Sequence, residues 1–237
     1  DVVNIDRAMR WGFNWELGPF EIWDAIGLEW GLSQMRDRGI DTPAWADEMV
    51  ADGVESFYRR DDGRQLHYDP SGGGYEPVPG DPKRLEVSTV RRTQSPVLEN
   101  ASATLHDMGD GVALAEFHTK MNAVDDGIIE LLYEAIEYVE QHAWKGLVIG
   151  NDGTHFSAGA NLEKLLERAE AGRWEAIREH SRWFQDLNQR LRYSTKPVVS
   201  APHGYTLGGG TEISCSADAI HAEADLTMGL VETGIGM

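Results

Sequence analysis

HFSAGAN at residues 155–161 and YTLGGGTE at residues 205–212 decide how this chain folds. Each follows a short apolar run, KGLVIGND (145–152) and KPVVSAP (196–202), and each opens onto a segment whose apolar residues recur at helical spacing. A strand that passes through a glycine turn into a helix leaves backbone N–H groups free at the helix N-terminus, where peptide dipoles favour negative charge. Two such turns can converge on one oxygen. Each alone also reads as a simple tight connection. Neither carries the Gly-x-x-x-x-Gly-Lys or Gly-x-Gly-x-x-Gly spacing, so a phosphate loop is a poor reading.

Working outward, Ile128, Ile129, Leu132, Ala135, Ile136 and Val139 predict a helix over about 125–142. NLEKLLERAEAG and RWEAIREHSRWFQDLNQRLRY predict two more, and ATLHDMGDGVALAEFH predicts a hairpin about Gly109-Asp110-Gly111. Strands alternating with helices indicate α/β architecture from about residue 98 to 237. Upstream, residues 53–97 read as a linker: four prolines and five glycines lie between Asp61 and Pro82. ESFYRR-DDG-RQLHYD predicts one hairpin in it near 55–69, turning at Asp62-Gly63, and SGGGYEPVPGDP reads as flexible chain. Residues 1–52 read as a small all-α module, with Gly18-Pro19 and Asp41-Thr42-Pro43 as helix punctuation and five of the eight tryptophans as its apolar payload.

Composition bounds the function. With 21 basic and 40 acidic residues the net charge is −19, which repels nucleic-acid phosphate and anionic lipid. Neither nucleic acid nor a membrane is expected as partner. A single cysteine, Cys215, excludes an intrachain disulfide and a Cys-rich metal site, and in its apolar helix it reads as a structural thiol. No apolar run is long enough to span a bilayer, and DVVNIDRAMR has no signal-peptide core, so a cytoplasmic protein is expected. A first residue Asp1 and an abrupt LVETGIGM ending suggest a fragment.

Two carboxylates stand out. Glu212 follows the glycines in a run of small and apolar residues, where a carboxylate is costly without a partner or a task. Glu232 lies in GLVETGIG. A buried pair can divide acid and base roles because proximity and desolvation push proton affinities apart. Individually, Glu212 also fits a helix-start carboxylate and Glu232 an exposed loop acid. The histidines form no metal motif; His221, Glu223 and Asp225 alternate as on a solvated strand face, and no metal is expected. Ser157 lacks the Gly-x-Ser-x-Gly setting of a nucleophile.

In order and spacing, FSAGAN, GYTLGGGTE and GLVETGIG resemble the enoyl-CoA hydratase/isomerase (crotonase) family over residues 98–237. IDRAMRWGFNWELGPFEIWDAIG is similar to the C-terminal helical region of 3-hydroxyacyl-CoA dehydrogenases. That order resembles bacterial bifunctional β-oxidation proteins of the FadN type. The resemblance implies a crotonase-like spiral of ββα units that binds an acyl-CoA thioester. Its carbonyl oxygen would meet the N–H groups of Ala160 and Gly209, flanked by Ala158, Gly159 and Gly208. Glu212 would deprotonate the water attacking Cβ, and Glu232 would hold the proton delivered to Cα. Asn161 stands where many members have Asp.

The resemblance further implies enoyl-CoA hydration, a lyase reaction. Isomerisation, another crotonase-family reaction or non-catalytic acyl-CoA binding are the alternatives. No cofactor is implied for residues 1–237; NAD belongs to the dehydrogenase part, which begins too late here to hold it. A homotrimer is implied for the intact protein. Arg178, Arg182, Arg190, Arg192 and Lys196 are available for CoA phosphates, or form a solvated helix face.

Overall fold

A computed structural model describes residues 1–61, 64–80 and 87–235, which divide into two compact units, Asp1–Arg84 and Leu85–Met237. In the first unit α1 (Val2–Phe13), α2 (Pro19–Ile26), α3 (Leu28–Asp37) and α4 (Ala44–Ala51) precede a sheet of β1 (Tyr58–Asp61), β2 (Arg64–Asp69) and β3 (Gly74–Pro77). Two of the helices, α2 and α4, start where the punctuation predicts. Asp1 caps α1 by accepting from Asn4 N at 2.7 Å, and Pro19 sits in the first turn of α2, where its missing N–H costs nothing. Phe57 is the hub of the core: fully buried, it meets the rings of Phe20 at 4.8 Å, Trp23 at 5.4 Å and Trp45 at 5.9 Å. Asp24 fixes the strand entry by accepting from Phe57 N and Tyr58 N, while Asp6 accepts from Phe20 N, Glu21 N and the Tyr58 hydroxyl.

β1 and β2 pair antiparallel with Asp61 opposite Arg64, and the turn residues Asp62-Gly63 lie outside the described residues. SGGGYEPVPGDP is not flexible chain throughout, because Gly74–Pro77 adds the third strand. Tyr75 drives this: its ring meets Tyr68 at 5.5 Å and its hydroxyl donates to Ser56 O at 2.6 Å. The preceding glycines serve the turn, with Ser71 N and Gly72 N donating to Asp69.

In the second unit α5 (Val87–Thr93) precedes a sheet built from β4 (Leu98–Glu99), β5 (Ala103–Asp107), β6 (Val112–Phe117), β7 (Gly146–Ile149), β8 (Val198–Ser200) and β10 (Ala219–Ile220), in the order β10-β8-β7-β6-β5-β4. β4, β5 and β6 run antiparallel; β6, β7, β8 and β10 run parallel, joined by helical crossovers. The β5–β6 turn is made by three residues with positive φ, Gly109, Asp110 and Gly111. α6 (Asp126–Gln141) buries Ile128, Ile129, Leu131, Leu132, Ala135, Ile136 and Val139 against the sheet, and Asp125 caps it through Ile128 N at 3.1 Å.

α7 (Leu162–Glu170) and α8 (Trp174–Arg192) follow β7. α8 meets the core through fully buried Leu187 and Leu191. Beyond β8, β9 (Tyr205–Leu207) leads directly into α9 (Gly209–Ser216) and pairs parallel with β11 (Thr227–Gly229). Residues 221–226 are a loop between β10 and β11, so the expected strand carrying His221, Glu223 and Asp225 is absent there; all three residues are exposed. The second unit is thus α/β, a mixed six-stranded sheet accompanied by a two-stranded parallel sheet of β9 and β11.

Candidate active site

The two glycine turns meet. Ser157 bridges Thr206 as one more strand position: Ser157 N donates to Tyr205 O at 3.1 Å, and Leu207 N donates to Ser157 O at 2.9 Å. The HFSAGAN turn therefore runs beside β9 up to the first residue of α9. On its other side it pairs with residues 121–124. Ala158 N donates to Met121 O, Val124 N to Gly159 O at 2.7 Å, and Asn161 N to Val124 O at 2.9 Å. Successive backbone groups of an extended segment point to opposite sides, so with its neighbours bonded to Val124 the Ala160 N–H is turned the other way, toward the start of α9. A Cβ on Gly209 would sit 3.8 Å from Ala160 N. Among the described residues neither Ala160 N–H nor Gly209 N–H has an acceptor. The site thus offers two adjacent free donors, one of them the first N–H of a helix.

Glycine is required at both turns. Gly159 has φ +92, and a Cβ there would stand 2.8 Å from Leu207 O; Gly208 has φ +48, and a Cβ there would stand 2.9 Å from Glu232 Oε1. The second figure also locates the carboxylates. Glu232, half-buried in the short 3-10 turn Glu232–Ile235, reaches back against Gly208. Glu212 lies in the first turn of α9 and is exposed, so the pair is not the buried one that its small apolar neighbours suggest. Partial burial still raises the Glu212 carboxyl above its ordinary range, and the charge of Glu232 raises it further. Ala158, Gly159, Ala160, Gly208, Gly209, Glu212 and Glu232 are all brought to this one place.

Other expectations scatter. Arg178 pairs with Glu175, Arg190 with Glu140, and Arg192 donates to Cys215 O, whereas Arg182 and Lys196 make no ion pair among the described residues. Cys215 is exposed, not packed inside: α9 turns its buried face through Ile213, Ser214 and Ser216. Asn161 caps α7 by accepting from Lys164 N at 3.3 Å. Among the described residues no group of three acidic, His or Cys side chains is placed to hold a metal ion.

Sequence reasoning missed Phe184 of α8, whose Cζ lies 3.2 Å from a Cβ built on Gly209, and the pair Met121 and Asn122, both left-handed at φ +56 and +50. Only the tolerance of Asn for that conformation hinted at the second.

Comparison with known proteins gives this geometry a family. A model described as enoyl-CoA hydratase/isomerase matches residues 107–237. The chain belongs to the enoyl-CoA hydratase/isomerase family. A second model, described as the C-terminal domain of 3-hydroxyacyl-CoA dehydrogenase, matches residues 1–58. Along its whole length the chain is 43% identical to a Bacillus subtilis (strain 168) protein named "Probable 3-hydroxyacyl-CoA dehydrogenase". It is 28% identical to a Rickettsia felis protein named for a fatty acid oxidation complex trifunctional enzyme. It spans 30% of the length of either relative. The crystal structure of an enoyl-CoA hydratase from Thermoplasma volcanium GSS1 superposes with a TM-score of 0.52 at 28% identity, covering 58% of this chain and 54% of that one.

Proposed function

We propose that the second unit hydrates 2-enoyl-CoA thioesters. The observation that carries the reading is the meeting of two unpaired N–H groups, Ala160 and Gly209, beside the Glu212–Glu232 pair. Addition of water to the double bond moves negative charge onto the thioester oxygen. Two fixed donors aimed at that oxygen stabilise the enolate-like state, and each is worth roughly 3–4 kcal/mol. Glu212 takes the proton of the water that attacks Cβ, and Glu232 supplies the proton that arrives at Cα. The raised proton affinity of Glu212 suits a group that must hold a proton between steps. Ala158, Gly159 and Gly208 let the thioester approach the backbone, and of the five basic residues singled out in the sequence Arg182 and Lys196, without an ion pair among the described residues, are available for CoA phosphates.

We infer that the full-length protein couples this step to oxidation of the 3-hydroxyacyl-CoA product. The match of residues 1–58 to a dehydrogenase C-terminal domain supports this. NAD would accept the hydride there. The first unit, four helices and a three-stranded antiparallel sheet among the described residues, carries no strand-turn-helix dinucleotide cradle there, which supports assigning the NAD site to the rest of the full-length protein. A trimeric full-length protein follows from the family resemblance, and sedimentation as a monomer alone would contradict it.

Incubating full-length protein with crotonyl-CoA and with a 3-enoyl-CoA tests the reaction class. Hydration predicts loss of the enoyl absorbance of crotonyl-CoA with a mass gain of one water. Conversion of the 3-enoyl thioester at unchanged mass, with crotonyl-CoA inert, would replace hydration by isomerisation.

A further inference from the structure

One fully buried hydroxyl in this unit is bonded on both sides yet has no place in the chemistry above. Ser157 Oγ donates to Asn122 O at 2.7 Å and accepts from Gly159 N at 3.1 Å, while the Ser157 backbone is paired to Tyr205 and Leu207 of β9. The same residue is thus tied through its side chain to the turn that ends at Ala160, and through its main chain to the strand that ends at Gly209. It also packs on α9: a Cβ on Gly210 would stand 2.7 Å from Ser157 Cβ and 3.0 Å from Oγ. Its acceptor is not incidental, since Met121 and Asn122 take two consecutive left-handed conformations that bring their carbonyls to Ala158 N and Ser157 Oγ. Asn122 Nδ2 closes this side by donating to His155 O at 2.9 Å. Non-glycine residues rarely adopt such conformations without compensation, and here the compensation is a fixed backing for one turn.

We propose that Ser157 is a positioning residue that sets the aim of the Ala160 N–H relative to the Gly209 N–H. The proposal rests on the reading of those two groups as donors to a thioester oxygen. Gly159 has no side chain to resist rotation, and Val124 holds only its carbonyl. The Gly159 N–H on Ser157 is the second restraint on that residue. Loss of the hydroxyl leaves a buried N–H and a buried carbonyl unpaired, and turning about Gly159 to recover a partner swings the peptide that carries Ala160 N–H.

The test uses full-length protein and a dimethylaminocinnamoyl-CoA thioester, whose absorption moves to the red when its carbonyl accepts hydrogen bonds. Ser157→Ala is compared with Thr104→Val, which removes another buried hydroxyl bond, Thr104 Oγ1 to His118 Nε2, on the main sheet. The expected result is a red shift less than half that of wild type in Ser157→Ala, with kcat on crotonyl-CoA down about tenfold, a fraction of the roughly hundredfold cost of a 1 Å misplacement. KM should stay within about twofold of wild type, because a donor that tightens in the transition state acts on kcat. Thr104→Val should keep the wild-type shift and kcat. A wild-type shift and kcat in Ser157→Ala, or an equal loss of shift in Thr104→Val, would overturn the proposal. Absence of any shift in wild type would instead overturn the donor reading on which it rests.

Discussion

Replacing Gly208 by Ala probes the link between the glycine turn and the second carboxylate. Gly208 has φ +48 and ψ −119, a combination closed to residues with a Cβ, and holding Ala there costs about 1–3 kcal/mol. The added methyl would stand 2.9 Å from Glu232 Oε1. Ordinary contact begins near 3.4 Å, so the carboxylate must retreat by about 0.5 Å, and a displacement of that order costs about tenfold in rate on the scale of 1 Å per hundredfold. At about 2–4 °C per kcal/mol for a unit of this size, thermal unfolding should fall by about 2–12 °C. Calorimetry and crotonyl-CoA hydration read the two effects separately. The decisive comparison is made in a Glu232→Gln background, where the rate effect of Gly208→Ala should shrink because both changes act on one group, while the loss of stability persists. Full rate loss in both backgrounds would refute the contact with Glu232 as its cause.

Three further outcomes follow from the same structure. In Glu232→Gln the Glu212 carboxyl, raised first by burial and then by the charge of Glu232, should titrate at lower pH than in wild type when followed by carboxyl-carbon NMR; an unchanged midpoint would remove the charge coupling. Glu140 is held down to about 2 by Arg190 and by Thr195 N, so Glu140→Gln should lose about 1–2 kcal/mol of stability at neutral pH, after discounting for the exposure of Arg190. A depressed carboxylate contributes fully above its unfolded value of 4.5, so the difference between variant and wild type in urea melts should fade from pH 4.5 toward 2. Phe57→Ala, which empties the hub of the first unit, should cost about 3–5 kcal/mol in denaturant unfolding, and a loss under 1 kcal/mol would mean that the ring cluster is not that unit's core.

Elements whose signal is local were legible in the sequence. α6 carries its own cap, Asp125, and an apolar stripe at 3.6-residue spacing, and the β5–β6 hairpin carries three residues tolerant of positive φ. β3 was hidden because glycines that serve a turn look like linker, and what makes Gly74–Pro77 a strand is the distant partner Tyr68. The strand expected at His221–Asp225 failed for the complementary reason: alternation is present, but only His221 N and Glu223 N bond to the neighbouring chain, at Ser200 O and Pro202 O, before the segment crosses from one sheet to the other. At the site, the residues bearing Ala160, Gly209, Glu212 and Glu232 were visible as motifs. Their meeting depends on the bridge between Ser157 and Thr206, and the left-handed pair Met121 and Asn122 is set by tertiary bonds that no local pattern announces.

The central claim is that two carboxylates and two backbone donors act together on one thioester. Its most direct measurement is the steady-state hydration of crotonyl-CoA by full-length protein, compared with Glu212→Gln and Glu232→Gln, both of which keep the shape of the side chain. The account predicts that kcat collapses by at least about a hundredfold in each variant, the range of a lost general acid or base, while both proteins unfold as cooperatively as wild type. Wild-type turnover in either variant would contradict it.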